Sequence, residues 1–196
     1  MIAVVDYRAG NLTSVMKALD HLEADAVVTQ DARVVANADK VILPGVGHFS
    51  GTTILEQTGL RAAILQRVGQ GIPFLGICIG MQWMFGSSEE APGLAGLGLF
   101  PERCERFPVN VKSPHVGWNS LTCREGSRLL EGIPSGSFVY FTHSYRAPVV
   151  GATAARSEYG GEFSAAVERE HLFGVQFHPE KSGAIGLQLL KNFCRL

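Results

Sequence analysis

Pro73-Phe-Leu-Gly-Ile-Cys-Ile-Gly-Met-Gln-Trp-Met-Phe85 is the stretch on which the reading of this chain turns. An apolar run (Phe74, Leu75, Ile77) leads into Cys78, and Gly76 and Gly80 stand two residues away on either side. Gly-x-Cys-x-Gly is the thiol counterpart of the Gly-x-Ser-x-Gly elbow that joins a buried strand to a helix. A sharp strand-to-helix turn leaves no room for a Cβ beside the nucleophile, hence the glycines. The turn also sets the sulfur near free N–H groups at a helix start, which favour a thiolate. Read alone, Cys78 is equally well a small buried hydrophobe. The rest of the chain decides between the two.

A length of 196 residues suits one domain with a sizeable core. With 46% hydrophobic and 18% charged residues, the composition is that of a globular chain rather than a disordered one. Net charge is −1 and no basic tract occurs, so nothing draws the chain to nucleic acid or an anionic membrane surface. The start, Met1-Ile-Ala-Val-Val-Asp6, lacks the basic region and cleavage site of a signal peptide. Cys78, Cys104, Cys123 and Cys194 are widely spaced and no histidine pair has metal-ligand spacing. A reduced, cytoplasmic protein without metal or cofactor is the expectation.

Apolar patterning predicts strands at Ile2 to Val5, Ala26 to Val28, Lys40 to Leu43 and Phe74 to Ile77. Helices are predicted from Asn11 through Leu22, around Gly59 between Ile54 and Val68, and from Ile79 to about Phe85. Pro44-Gly45-Val46-Gly47 is too glycine-rich to continue either kind of element. The second half predicts hairpin-linked strands at Phe138 to Thr142, Ala152 to Ser157, Phe163 to Val167 and Leu172 to Phe177, with a turn at Gly160-Gly161. A helix from Ala184 to about Phe193 closes the chain. The expected fold is α/β: one domain over 1–196, with a mixed, largely parallel, flavodoxin-like sheet flanked by helices. Ligands of such sheets bind beyond the carboxyl ends of the strands, where Pro44–Gly47 and Cys78 both fall.

A thiol nucleophile needs a base, and the base needs an orienting partner. His178 ends an apolar strand, Pro179 fixes the turn after it, and Glu180 is placed to hold the other ring nitrogen. His21 and His171 read as exposed, His48 as a loop position, and neither His115 nor His143 has a carboxylate so placed. An oxyanion forming at the site would find the N–H of Ile79, just after the nucleophile, and a second donor in the loop at Val46 and Gly47.

Gly-Ile-Cys-Ile-Gly-Met-Gln together with Phe177-His-Pro-Glu-Lys-Ser182 resembles the class I, triad-type glutamine amidotransferases. Pro44–Gly47, Pro114-His-Val-Gly-Trp-Asn119 and Tyr140-Phe-Thr-His-Ser-Tyr145 resemble one branch of that family, and the likeness spans essentially the full length. The resemblance implies that Cys78 attacks the side-chain amide of L-glutamine, that His178 moves protons and that Glu180 orients His178. It implies glutamine contacts at Gly47, Gln82, Glu90, Ser144 and Tyr145, the Glu90 carboxylate suiting the α-ammonium. It also implies a partner. Members of that branch deliver ammonia to a separate (β/α)8-barrel cyclase, which makes imidazole glycerol phosphate and aminoimidazole carboxamide ribotide in histidine biosynthesis. Asn11, Trp118 and Lys181 match positions at that heterodimer interface. Ile79, Arg146 and Gly183 depart from the usual Leu, aromatic residue and Gln. Competing expectations are a glutaminase for another acceptor, a γ-glutamyl hydrolase acting alone, and a binding module that keeps the fold without the reaction.

Overall fold

The computed structural model describes all residues, 1–196. In chain order the elements are β1 (Ile2–Val5), α1 (Leu12–His21), β2 (Ala26–Thr29), α2 (Ala32–Val35) and β3 (Lys40–Gly45). A 3-10 turn (Phe49–Thr52), α3 (Thr53–Gln57), α4 (Leu60–Gly69), β4 (Phe74–Cys78) and α5 (Ile79–Gln82) follow. Then come β5 (Phe85–Ser88), β6 (Phe100–Arg106), β7 (His115–Ser120), β8 (Thr122–Cys123), β9 (Phe138–His143) and β10 (Tyr145–Arg146). The chain ends with β11 (Thr153–Glu158), β12 (Glu162–Arg169), β13 (Leu172–Val175), a 3-10 turn (Pro179–Lys181) and α6 (Gly183–Arg195).

Eight strands form the central sheet in the order β2-β1-β3-β4-β13-β12-β11-β8. From β2 to β13 every pairing is parallel, and from β13 to β8 every pairing is antiparallel. The mixed α/β expectation therefore holds, with the parallel half in the flavodoxin-like order. Side chains alternate across the strands. Ile2 and Val4 of β1 join Val15 and Leu19 of α1 and Leu189 and Phe193 of α6, while Ala3 and Val5 join Val35 of α2 and Leu60 and Ile64 of α4. A buried β-branched strand with helices on both faces is what the unbroken apolar runs demand.

Three sequence expectations are corrected. The helix after Cys78 ends at Gln82 rather than near Phe85. Its next carbonyls, on Trp83, Met84 and Phe85, accept from Leu97, Leu99 and Gly98 N–H groups instead, and Phe85 pairs with Phe100 in a small side sheet, β10-β6-β5. Strand β3 does not stop before Pro44 but runs through Pro44 and Gly45, opposite Ile77 and Cys78. The missing N–H of Pro44 is tolerated because β1 pairs with β3 only as far as Ile42, leaving a neighbour on one side alone. His171 is half-buried rather than exposed, with its Nε2 enclosed and without a partner. Strands β5 to β7, absent from the expectation, lie in a stretch whose polar and glycine-rich sequence hides a period of two.

A separate two-stranded ribbon, β7 with β9, stands over the end of the sheet. Its inner face carries His115, Val139, Phe141 and His143, all buried, and its outer face carries Val116, Trp118 and Phe138, all more than half exposed. The His115 ring stacks between Phe141 and Tyr159, at centroid distances of 4.9 and 4.1 Å. Burial lowers the His115 pKa to about 4 and that of His143 to about 3. The ribbon is therefore folded around two neutral imidazoles.

Two outcomes follow from this packing. A Cβ on Gly80 would fall inside contact distance of the Leu43 carbonyl oxygen, whereas one on Gly69, at the end of α4, would meet nothing. Gly80→Ala should lose at least about 3 kcal/mol in denaturant unfolding, and Gly69→Ala should gain about 0.5–1 kcal/mol. Because folding holds both histidines neutral, their contribution is whole above the unfolded value of 6.5 and is lost as pH falls through about 4 and then 3. Unfolding free energy should thus fall between pH 6.5 and 4 by up to about 1.4 kcal/mol per pH unit for each proton. His115→Phe, which keeps the stacking, should remove about one proton from that slope.

Candidate active site

The elbow is built as the glycine spacing requires. Cys78 closes β4 with φ 55° and ψ −109°, a positive φ at a non-glycine residue. Such a conformation costs about 1–3 kcal/mol and persists only where its surroundings hold it. They do: a Cβ at Gly76 would run into the Gly80 carbonyl, and one at Gly45 into the Tyr7 hydroxyl and Ile79. The strand, the helix start and the neighbouring strand meet at backbone distance, and the thiol side chain is turned out of the sheet. Tyr7 is 1% exposed and its hydroxyl has no partner; burial first, then the charge of Cys78, push its pKa upward.

His178 is 1% exposed, and its N–H donates to the Tyr140 carbonyl at 2.9 Å and so ties the segment after β13 to β9. Its Nδ1 lies 2.8 Å from Glu180 Oε1, both side chains almost fully enclosed. The carboxylate can only accept, so Nδ1 carries the proton and Nε2 is the free position. Nε2 is buried without a hydrogen-bond partner. Burial alone would lower the His178 pKa, but Cys78 and then Glu180 outweigh it and raise it to about 10. Cys78 from one motif and His178 with Glu180 from another, a hundred residues on, are thus brought together.

A cavity of about 280 Å³ opens in front of Cys78. This is the small end of the range for ligand sites. Its wall includes Val46 and Gly47 from the loop after β3, Ile79 and Gln82 from α5, Glu90, and Ser144 and Tyr145 after β9. Every oxyanion and glutamine-contact position expected from the sequence lines it. His178 and Glu180 do not; both are buried beside it. Gly47 has φ 100°, a conformation that glycine adopts readily, and a Cβ there would meet no neighbour. The acidic pair is resolved as well. Glu89 turns away to Arg103, 2.6 Å, while Glu90 faces the cavity and accepts the Phe49 N–H at 2.8 Å.

Two residues at the site escaped the sequence reading. His143, set aside as lacking a carboxylate, lines the cavity and reaches the Tyr145 carbonyl at 2.8 Å. Gln176, fully buried, lies beneath the site with its Nε2 3.6 Å from Cys78 Sγ. A glutamine inside an apolar strand end gave no signal beyond its being polar where core residues surround it.

The three expected interface residues are spread over one side of the molecule. Trp118 is 56% exposed and meets Tyr140 edge-on, at 6.1 Å, and Lys181 Nζ lies 5.8 Å from the same Tyr140 ring. Asn11 precedes α1, which packs against the Pro179–Lys181 turn. Its side chain makes no capping hydrogen bond.

Comparison with known proteins agrees with this architecture. The family model for Glutamine amidotransferase class-I matches residues 3–196. The imidazole glycerol phosphate synthase subunit HisH of Methanothermobacter thermautotrophicus is 46% identical, over 100% of this chain and 98% of its own length. The protein of the same description from Moorella thermoacetica is 47% identical, over 100% and 94%. Among solved structures, a glutamine amidotransferase superposes with a TM-score of 0.79 at 18% identity, covering 100% of both chains. The PurLQS structure from Thermotoga maritima gives 0.74 at 19%, covering 99% of this chain and 97% of the other; at such identities the likeness is one of fold. With a family model spanning nearly every residue and full-length relatives near half identical, this chain belongs to the class I glutamine amidotransferase family.

Proposed function

We propose that this chain is a glutaminase domain spanning 1–196 that hydrolyses L-glutamine to glutamate and ammonia and passes the ammonia to a separate cyclase subunit. In that reading it serves imidazole glycerol phosphate synthase and histidine biosynthesis. The observation that carries the chemistry is the convergence of a strained Cys78, a Glu180-held His178 and a small polar cavity in front of the sulfur. The full-length likeness to HisH subunits carries the choice of acceptor over anthranilate-type glutaminases. Cytoplasm is the compartment this reading assigns. No helix is long and apolar enough to cross a membrane.

The geometry fits a two-step acyl transfer. Cys78 Sγ attacks the side-chain amide carbon of glutamine, and the carbonyl oxygen becomes an oxyanion facing the N–H of Ile79 and the Val46–Gly47 loop. His178 Nε2, having taken the proton of the Cys78 thiol, gives it to the leaving nitrogen, ammonia departs, and a γ-glutamyl thioester remains. Water, deprotonated by the now neutral His178, releases glutamate and restores the thiol. Glu180 keeps the proton on Nδ1 throughout, so that Nε2 alone faces the reaction. At the other end of the cavity, Glu90 and the unpartnered Gln82 Oε1 suit the α-ammonium, and the backbone of Ser144 and Tyr145 suits the α-carboxylate.

For the cyclase we assign the face holding Asn11, Trp118 and Lys181, where Val116 and Phe138 add exposed apolar area. Exposed aromatic residues are what protein interfaces favour. The Val46–Gly47 peptide borders the cavity, and glycine at its end allows it more than one orientation. Weak glutaminase activity in the isolated chain and a rise on binding the liganded partner are therefore expected.

In the complex, Cys78→Ala should abolish glutamine-dependent synthesis while synthesis from added ammonia continues. Loss of both would assign Cys78 to the structure instead. Glu180→Gln should lower kcat by about 10²–10⁴-fold with KM nearly unchanged, because it misplaces a proton rather than a substrate. A KM rise at constant kcat would contradict that role.

A further inference from the structure

Beneath the cavity a short chain of hydrogen bonds runs from the cavity wall to the sulfur, and one fixed acceptor sets the direction of every link in it. The Tyr145 carbonyl oxygen can only accept. Gln82 reaches it at 2.9 Å, so the group doing so is the Gln82 Nε2 amide. The second N–H of that Nε2 points to Gln176, 3.1 Å away. Gln176 must therefore present its Oε1 there, because two amide nitrogens cannot face each other in a hydrogen bond. With Oε1 so engaged, Gln176 Nε2 is the atom that faces Cys78 Sγ, at 3.6 Å. Exchanging the amide ends of Gln176 would bring N–H against N–H on one side and a carbonyl oxygen against the sulfur on the other. The buried carbonyl of Tyr145 thus decides that the nucleophile receives a donor.

We propose that Gln176 is a further catalytic residue, whose amide N–H donates to the Cys78 sulfur, holds it in place and favours its thiolate form. A hydrogen bond to the charged form of a group stabilises that form. The effect is strong where the donor is enclosed, and Gln176 is 0% exposed. The four-residue α5 is too short for its dipole to do this alone. The same chain links the Tyr145 wall, where the substrate carboxylate is read, to the sulfur through Gln82. Displacement of that wall would be felt at the nucleophile. The inference rests on Cys78 being the nucleophile of the reaction proposed above.

The test uses the full chain and two near-isosteric variants, Gln176→Met and Gln176→Glu, with folding checked by thermal unfolding. The rate of Cys78 alkylation by iodoacetamide is followed against pH, and glutaminase kinetics are measured in the complex with the cyclase. Removing the donor should move the midpoint of the alkylation profile upward by about one pH unit, which slows alkylation about tenfold at a pH below both midpoints. It should also lower kcat at least tenfold while KM changes less than threefold. Gln176→Glu should move the midpoint further, because its carboxylate repels a thiolate. If Gln176→Met does not fold, Gln176→Leu, which also lacks the donor and adds no charge, carries the test. An alkylation profile that coincides with that of the unsubstituted chain overturns the inference and leaves Gln176 a packing strut. A Cys78→Ala complex that still releases ammonia from glutamine would instead sink the glutaminase reading, whatever the alkylation profiles show.

Discussion

Everything at this site depends on the strained backbone at Cys78. An L-residue at φ 55° between a strand and a helix stays there only if the chain on either side cannot relax. Here it cannot, because Gly80 lies against the Leu43 carbonyl, Gly76 against Gly80, and Gly45 against Tyr7 and Ile79. The sheet supplies the rigidity. Cys78 stands opposite Gly45, and β4 is flanked by β3 and β13, so the elbow grows out of the most enclosed part of the parallel half. The strain is stored where the sheet is strongest.

From that fixed point the remaining groups arrive by independent routes. His178 and Glu180 come from the segment after β13, held by the bond from His178 N–H to Tyr140 and by Ser182 Oγ on the His178 carbonyl, 2.6 Å. The substrate wall comes from the end of β9, where Tyr145 O takes hydrogen bonds from both His143 and Gln82. Glu90 comes from the loop after β5 and is tied to the Phe49 N–H just beyond the glycine loop. Each tie is a hydrogen bond in a buried or half-buried setting, where an unmade bond would be costly. Such ties set positions more than they add stability.

Much of this was legible in the sequence because it is carried by local patterns. The strand-glycine-cysteine-glycine run, the apolar strand ending in His-Pro-Glu, and the strand-helix alternation of the first half each have a short-range signature. What was not legible is long-range. Pro44 continues β3 because β1 ends early, which no local rule reveals. The helix after Cys78 stops at Gln82 because loop residues 97–99 capture the next carbonyls. His143 pairs with His115, 28 residues away, and Gln176 with Gln82 and Cys78, 94 and 98 residues away. A polar residue in an apolar run marks a buried network, but only the fold says what the network serves.

If Cys78 is a covalent nucleophile served by an imidazole and a buried amide, the intermediate itself is the direct evidence. Acid-quenching the complex during turnover of isotopically labelled glutamine, then mapping the label by peptide mass spectrometry, reads it. The account predicts one γ-glutamyl group on the peptide containing Cys78, lost on standing at alkaline pH as a thioester is. Continued release of ammonia with no label on that peptide, under quench conditions that preserve a thioester standard, would contradict it.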